Sequence, residues 1–177
     1  PRNRGDGGEV YLVRHAELLR PGGIGFAHVN MCLVRRPLVA RVGGFWDEAL
    51  YEGDLNFFLR LMDQAGGILY RPHTVAVMEL RHGGDASGVS SIDDELKLQL
   101  RALACEHARL RCRRREVLRY LRLLHSRALR RLAKRYYQAH DFALAAELAS
   151  RSNAVMPTLK WVLIALALRA RALAAFD

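Results

Sequence analysis

Two hydrophobic patterns divide the chain. From Glu9 to about Ser91, short runs rich in β-branched and aromatic residues alternate with stretches of helical period; from Ile92 onward only the helical period remains. The runs Glu9–Arg14 (EVYLVR), Phe26–Val34 (FAHVNMCLV), Ile68–Arg71 and Thr74–Leu80 predict strands, with Pro72 separating the last two. Pro37 suits a first helical turn and predicts a short helix after it, and a longer helix is predicted from Asp54 to Ala65. In that helix Leu55, Phe58, Leu59 and Met62 share one face, widened by Phe57 and Leu61. Asn56, Arg60, Asp63 and Gln64 fall opposite, and Gly66–Gly67 supplies the stop. Residues 1–8 read as a loop.

Beyond residue 92 the spacing predicts helices near 93–111, 114–138, 142–153 and 158–174. The second of these puts Val117, Leu121, Leu124, Ala128 and Leu132 on one stripe, while Arg111, Arg115, Arg119 and Arg122 recur on another. Two domains are therefore expected, an α/β part over 1–91 and an all-α helical tail over 92–177. Within the tail, residues 128–157 resemble a single tetratricopeptide-type helical pair, with Tyr137, Ala145 and Pro157 near the expected positions. Such a pair is expected to cap a domain, since a solenoid needs stacked neighbours.

Composition refines this picture. At 51% hydrophobic and 26% charged residues the chain has enough apolar surface to fold. Cys32, Cys105 and Cys112 have neither an even count nor a C-x-x-C spacing, which argues against a disulfide framework or zinc site and for a reducing compartment, the cytoplasm. The longest apolar run, Trp161 to Leu168, is too short to span a bilayer and stops at Arg169. The net charge of +10 is concentrated between Arg101 and Arg135, in helical sequence, and so reads as a charged helical face rather than a nucleic-acid surface.

The candidate chemistry lies between Asn30 and Ser87. In order come Leu33-Val34-Arg35-Arg36, Val42-Gly43-Gly44-Phe45, Asp47-Glu48, Asp54-Leu55-Asn56-Phe57-Phe58-Leu59-Arg60-Leu61, Tyr70-Arg71-Pro72 and Arg81-His82 through Ser87. This ordered series resembles the acceptor-binding half of family 2 glycosyltransferases, which have the nucleotide-diphospho-sugar transferase fold of type A. The resemblance implies a partial α/β fold of that type and transfer of a sugar from a nucleotide-sugar donor to a glycan or lipid-linked acceptor with inversion. Asp54 would be the general base, with Glu52, Arg35, Arg81, His82 and Trp46 binding substrate. A divalent cation, Mg or Mn, would be held mostly by the donor-binding half, with His82 able to assist. This chain departs from the family pattern in three places: Trp46 precedes Asp47-Glu48, the acidic pair reads Glu52-Gly53-Asp54, and Asp85 stands near the family's asparagine. The donor half with its D-x-D has no counterpart among these residues, and with Pro1 as the first residue the sequence is expected to belong to a longer protein.

An inverting transfer needs a group to take the acceptor hydroxyl's proton as that oxygen attacks the anomeric carbon. Asp54 meets this requirement; as the first polar residue before an apolar helix it also fits an N-cap, and the two readings are compatible. His82, before Gly83-Gly84, stands where backbone can approach a phosphate or sugar, or in a solvated loop. Two other readings stay open. Val10–Glu17 (VYLVRHAE), with a fainter echo in Met78–Gly84, resembles the histidine phosphatases, in which His15 would be the phosphoryl nucleophile, Arg14 a phosphate ligand and His82 the second pocket histidine. Alternatively the helical tail is a non-catalytic module whose cationic stripe docks a protein or an anionic membrane at the inner membrane face.

Overall fold

The computed structural model describes residues 10–19, 32–70 and 92–174. It is mostly helical, with one two-stranded sheet, and divides into two compact units: residues 1–91 with 111–120, and 92–110 with 121–177. Among the described residues, the part expected to be α/β holds a single antiparallel strand pair and three helices, and an all-α region follows.

In the first unit β1 (Tyr11–Val13) pairs antiparallel with β2 (Ile68–Tyr70), Leu12 opposite Leu69. β1 is shorter than the Glu9–Arg14 run because a one-turn helix, α1 (His15–Leu18), begins directly after it. That turn was not legible as an element. It closes on Glu17, whose carboxylate accepts the Arg14 amide at 2.8 Å. Of the run expected as a strand over 26–34, residues 32–34 are not in a strand, and the remainder lies outside the described residues, as does Thr74–Leu80.

α2 (Arg36–Val42) carries Pro37 in its first turn, as expected, and ends at Gly43, with φ 79°, and Gly44, with φ 72°. The left-handed pair lets both amides fold back on the Val39 carbonyl, at 3.1 and 3.2 Å. α3 spans Gly53–Gln64 and stops at an extended Ala65, one residue before the glycine pair expected to end it. Phe57, Phe58 and Leu61 pack with Leu38, Val39 and Val42 of α2, and Phe45 stacks on Phe57 with ring centroids 4.3 Å apart.

The polar side of α3 is a correction to the sequence reading. Asn56, Arg60 and Asp63, expected opposite the apolar face, are buried as well. Each has a partner whose need the periodicity of α3 cannot reveal. Arg60 donates to Asn56 Oδ1 at 2.9 Å, to the Val42 carbonyl at 2.6 Å and to the Gly44 carbonyl at 2.7 Å. It therefore satisfies the orphan carbonyls and the negative end of α2. Asp63 Oδ1 accepts the amides of Arg113 and Arg114, at 2.8 and 2.6 Å, immediately before α5 (Arg115–Gln138). Arg114 in turn donates to the Asp63 and Ala65 carbonyls at the end of α3, at 3.2 and 2.9 Å. Asp63→Ala is expected to cost about 1–3 kcal/mol, the cost of a lost cap plus orphaned amides, and to lower the urea midpoint accordingly.

The second unit contains α4 (Asp94–Arg109), the remainder of α5, α6 (Phe142–Val155) and α7 (Leu159–Ala174), each within two residues of its expected bounds. Its core joins Ala102 of α4, Ala128, Leu129, Leu132 and Ala133 of α5, Ala145, Leu148 and Ala149 of α6, and Ala165 and Leu168 of α7. The small residues let these helices approach closely. Asp93 caps α4 by accepting the Glu95 and Leu96 amides, at 2.7 and 3.3 Å, which holds its carboxyl below the usual range. Arg135 of α5 reaches Asp93 and Glu95 at 3.5 and 3.4 Å. Asp141 caps α6 through the Leu144 amide at 3.0 Å, after His140 turns the chain with φ 64°. Arg130 closes the other end of α6, donating to the Met156 carbonyl at 2.7 Å and to Ser152 Oγ at 2.9 Å.

Candidate functional site

The N-terminal turn of α3 is where the candidate residues gather. Glu52 is its N-cap in position, with a left-handed φ of 60° that a non-glycine residue adopts only when its surroundings enforce it. Asp54 is therefore not the cap, which corrects its reading as an N-cap; it is the second helical residue. Its carboxylate is exposed and accepts the Leu55 amide at 2.7 Å. The intervening Gly53 explains the split acidic pair, because a Cβ there would meet the Ala49 Cβ at 3.1 Å. A side chain there would make Ala49 give by a few tenths of an ångström.

Trp46 lies in the connection between α2 and α3, half-buried, with its indole N–H 3.4 Å from Glu48 Oε2. Its carbonyl accepts the Ala49 amide at 3.0 Å, which turns the chain toward Glu52. Arg35 is exposed and precedes the first turn of α2, at the opposite end of that helix from the glycine pair. The structure thus brings Glu52 and Asp54 into one turn, places Trp46 in the segment leading to it, and leaves Arg35 at the far end of α2. Arg81 and His82 lie outside the described residues. Among the described residues no three His, Cys, Asp or Glu side chains are grouped to hold a metal ion, so the divalent cation implied by the resemblance has no site among them.

His15 begins α1 and is buried, only 8% exposed. Burial, then the Arg114 charge, pushes its pKa below the ordinary value, partly offset by a hydrogen bond with the Met62 backbone; Nε2 has no hydrogen-bond partner among the described residues. A phosphoryl nucleophile needs an open face, and this ring packs inward. Cys112 is equally enclosed. Its thiol donates toward the Leu59 carbonyl at 3.9 Å, and burial, reinforced by Asp63, pushes it up to about 12.

His125 in the second unit is 5% exposed, and burial, then Arg109 and Arg151, hold it below its ordinary pKa despite Glu106. Both histidines therefore bind a proton less readily in the fold than in the unfolded chain, which takes up protons first as the pH falls. Their stabilising contribution is complete above the unfolded value of about 6.5 and is lost progressively as pH falls from there through the lowered folded value. The melting temperature is expected to fall between about pH 7 and 5, and less steeply in His125→Gln. An unchanged slope in that variant would remove His125 from the account.

The positioning residues that the sequence reading missed are Asn56, Arg60, Asp63 and Arg114. Asn56 and Arg60 have the i, i+4 spacing of a helical side-chain pair, and Arg60 is the same helix's answer to the glycine pair that ends α2. Compared with models of known protein families, with curated proteins and with solved structures, the chain matches none of them.

Proposed function

We propose that this chain carries the acceptor side of an inverting, family 2-like glycosyltransferase, with Asp54 as the general base. The observation that carries the reading is the contrast within α3: an exposed carboxylate on its first turn, on a helix buried continuously from Asn56 to Asp63. A group that must meet an acceptor hydroxyl at hydrogen-bond distance gains from such a rigid support. The motif order in the sequence supplies the class of reaction.

In this reaction the acceptor hydroxyl gives its proton to the Asp54 carboxylate, and its oxygen forms the new bond to the anomeric carbon. The bond from that carbon to the donor diphosphate breaks on the opposite face, which inverts the configuration. Glu52 and Trp46 would border the acceptor, since their segment leads into the same turn. The nucleotide sugar and any divalent cation belong with a donor-binding half. A glycan or a lipid-linked saccharide would be the acceptor.

The test incubates the full-length protein with labelled nucleotide sugars and with oligosaccharide or lipid-linked acceptors, and the product's anomeric configuration is read by NMR. Transfer with inversion is expected. Retention of configuration would remove the direct-displacement reading. Hydrolysis of p-nitrophenyl phosphate that disappears in His15→Ala would favour the phosphatase reading instead.

A further inference from the structure

We propose that the exposed face of α7 is a docking surface for an anionic lipid bilayer, on which the helix lies flat. α7 is apolar on both sides. Trp161, Ile164, Ala165 and Leu168 pack into the core of the second unit. On the other side Leu159, Val162, Leu163, Leu166, Ala170 and Leu173 fall within a sector about 100° wide at 100° per residue. Leu159, Leu163, Leu166 and Leu173 are 77, 57, 56 and 72% exposed. A helix that is hydrophobic all round is normally covered all round, so half of its apolar surface lacks an occupant among the described residues.

Charge selects the occupant. The helix carries Lys160, Arg169 and Arg171 and no acidic residue. By the same angular count Arg169 borders the apolar sector on one side, and Lys160 and Arg171 border it on the other. Arg171 is already held over the Tyr137 and Phe142 rings and bonds the Tyr137 hydroxyl at 3.1 Å, which leaves Lys160 and Arg169 as the outward cations. Leucines between flanking cations suit an interface where acyl chains meet anionic headgroups, with the long side chains snorkelling upward. A second copy is a poorer occupant, because two α7 helices face to face would bring basic borders together with no acid on either helix to neutralise them. No helix of the described residues is long and apolar enough to cross a membrane, so the contact is peripheral.

This surface is distinct from the cationic stripe of α5, whose Arg115, Arg119 and Arg122 are exposed but flank no exposed leucine row. It is also independent of the transferase reading, since binding needs no turnover. The test is sedimentation of the full chain with phosphatidylcholine vesicles, with and without phosphatidylglycerol. Binding is expected only with the anionic lipid. Leu163→Gln with Leu166→Gln is expected to weaken it about tenfold or more, and Lys160→Gln or Arg169→Gln about fivefold each.

All of these side chains are exposed, so the melting temperature should hold, and the single charge variants keep the test decisive if the double variant unfolds. Three results would overturn the proposal: equal binding to neutral vesicles, no binding at all, or a larger loss from Arg115→Gln, Arg119→Gln and Arg122→Gln together than from the α7 variants. Self-association that the α7 variants abolish, without vesicle binding, would assign the face to a second copy.

Discussion

Arg60→Ala is expected to destabilise the first unit by about 3–5 kcal/mol, a large fraction of the stability of an ordinary domain. The guanidinium makes three hydrogen bonds at 2.6 to 2.9 Å while only 6% exposed, and two of them end on carbonyls at the C-terminus of α2. Its removal strands the Val42 and Gly44 carbonyls and Asn56 Oδ1, at about 1–3 kcal/mol for each group that stays dry. It also takes away the positive charge facing the negative end of α2.

The variants should rank by what they restore. Arg60→Lys keeps the charge but lacks the planar fork that reaches Asn56 and two separate carbonyls, so it recovers part of the loss; Arg60→Met fills volume alone and recovers less. The chain offers a clean probe, because its two tryptophans fall one in each unit, Trp46 in the first and Trp161 in the second. In a Trp161→Phe background, urea unfolding followed by fluorescence reports on the first unit. A shift equivalent to less than about 1 kcal/mol in Arg60→Ala would mean that the carbonyls find other donors and that Arg60 is not the pin between α2 and α3.

The prediction also shows where reading the sequence succeeded and where it could not. The tail was legible because its helices carry apolar stripes: of the expected row on α5, Val117, Leu121, Ala128 and Leu132 are buried and Leu124 is half-buried. Asp93 and Asp141 stand as ordinary caps at helix starts. In the first unit α3 was found from its apolar face and α2 from Pro37 in its first turn. The short α1 was not, since one turn carries too little periodicity to register. The burial of Asn56, Arg60 and Asp63 was out of reach for a different reason. Hydrophobic period identifies the face that seeks apolar neighbours, but Arg60 and Asp63 are held by backbone groups contributed by other segments, and Asn56 is held by Arg60.

The arginines make the same point more generally. Read as a charge run they form a solvated basic face, and Arg115, Arg119 and Arg122 are indeed exposed. Yet Arg60, Arg114 and Arg130 each turn a guanidinium onto the last carbonyls of a helix: α2, α3 and α6 respectively. Arg130 also lies over the Trp161 ring, 5.3 Å from its centroid, with its pKa lowered by burial. Part of the excess positive charge is therefore structural, set against helix dipoles. Which arginines play that part follows from the ends of other helices, information that no single helix contains.

If Asp54 is the proposed base, Asp54→Asn is expected to reduce transfer by the full-length protein about a hundred- to ten-thousand-fold while leaving its fold intact, because the variant would remove a positioned proton acceptor and little else. The structure makes the substitution a cleaner probe than the sequence suggested. Had Asp54 been the N-cap, the amide would have been judged by how well it capped; but Glu52 holds that position, and Asp54 is exposed on the turn beyond it. An asparagine there keeps a side-chain oxygen for the Leu55 amide that Asp54 Oδ1 now accepts at 2.7 Å. What it loses in stability is the favourable placement of a negative charge in the first turn, about 0.3–1 kcal/mol.

The two measurements therefore separate. A base predicts a collapse of kcat with a nearly constant melting temperature. Glu52→Gln supplies the contrast: under the same proposal it borders the acceptor without taking its proton, so it should raise KM and leave kcat near the parent's. If Asp54→Asn turns over like the parent, the carboxylate is only a favourable charge at a helix start, and the acceptor's proton leaves by another route.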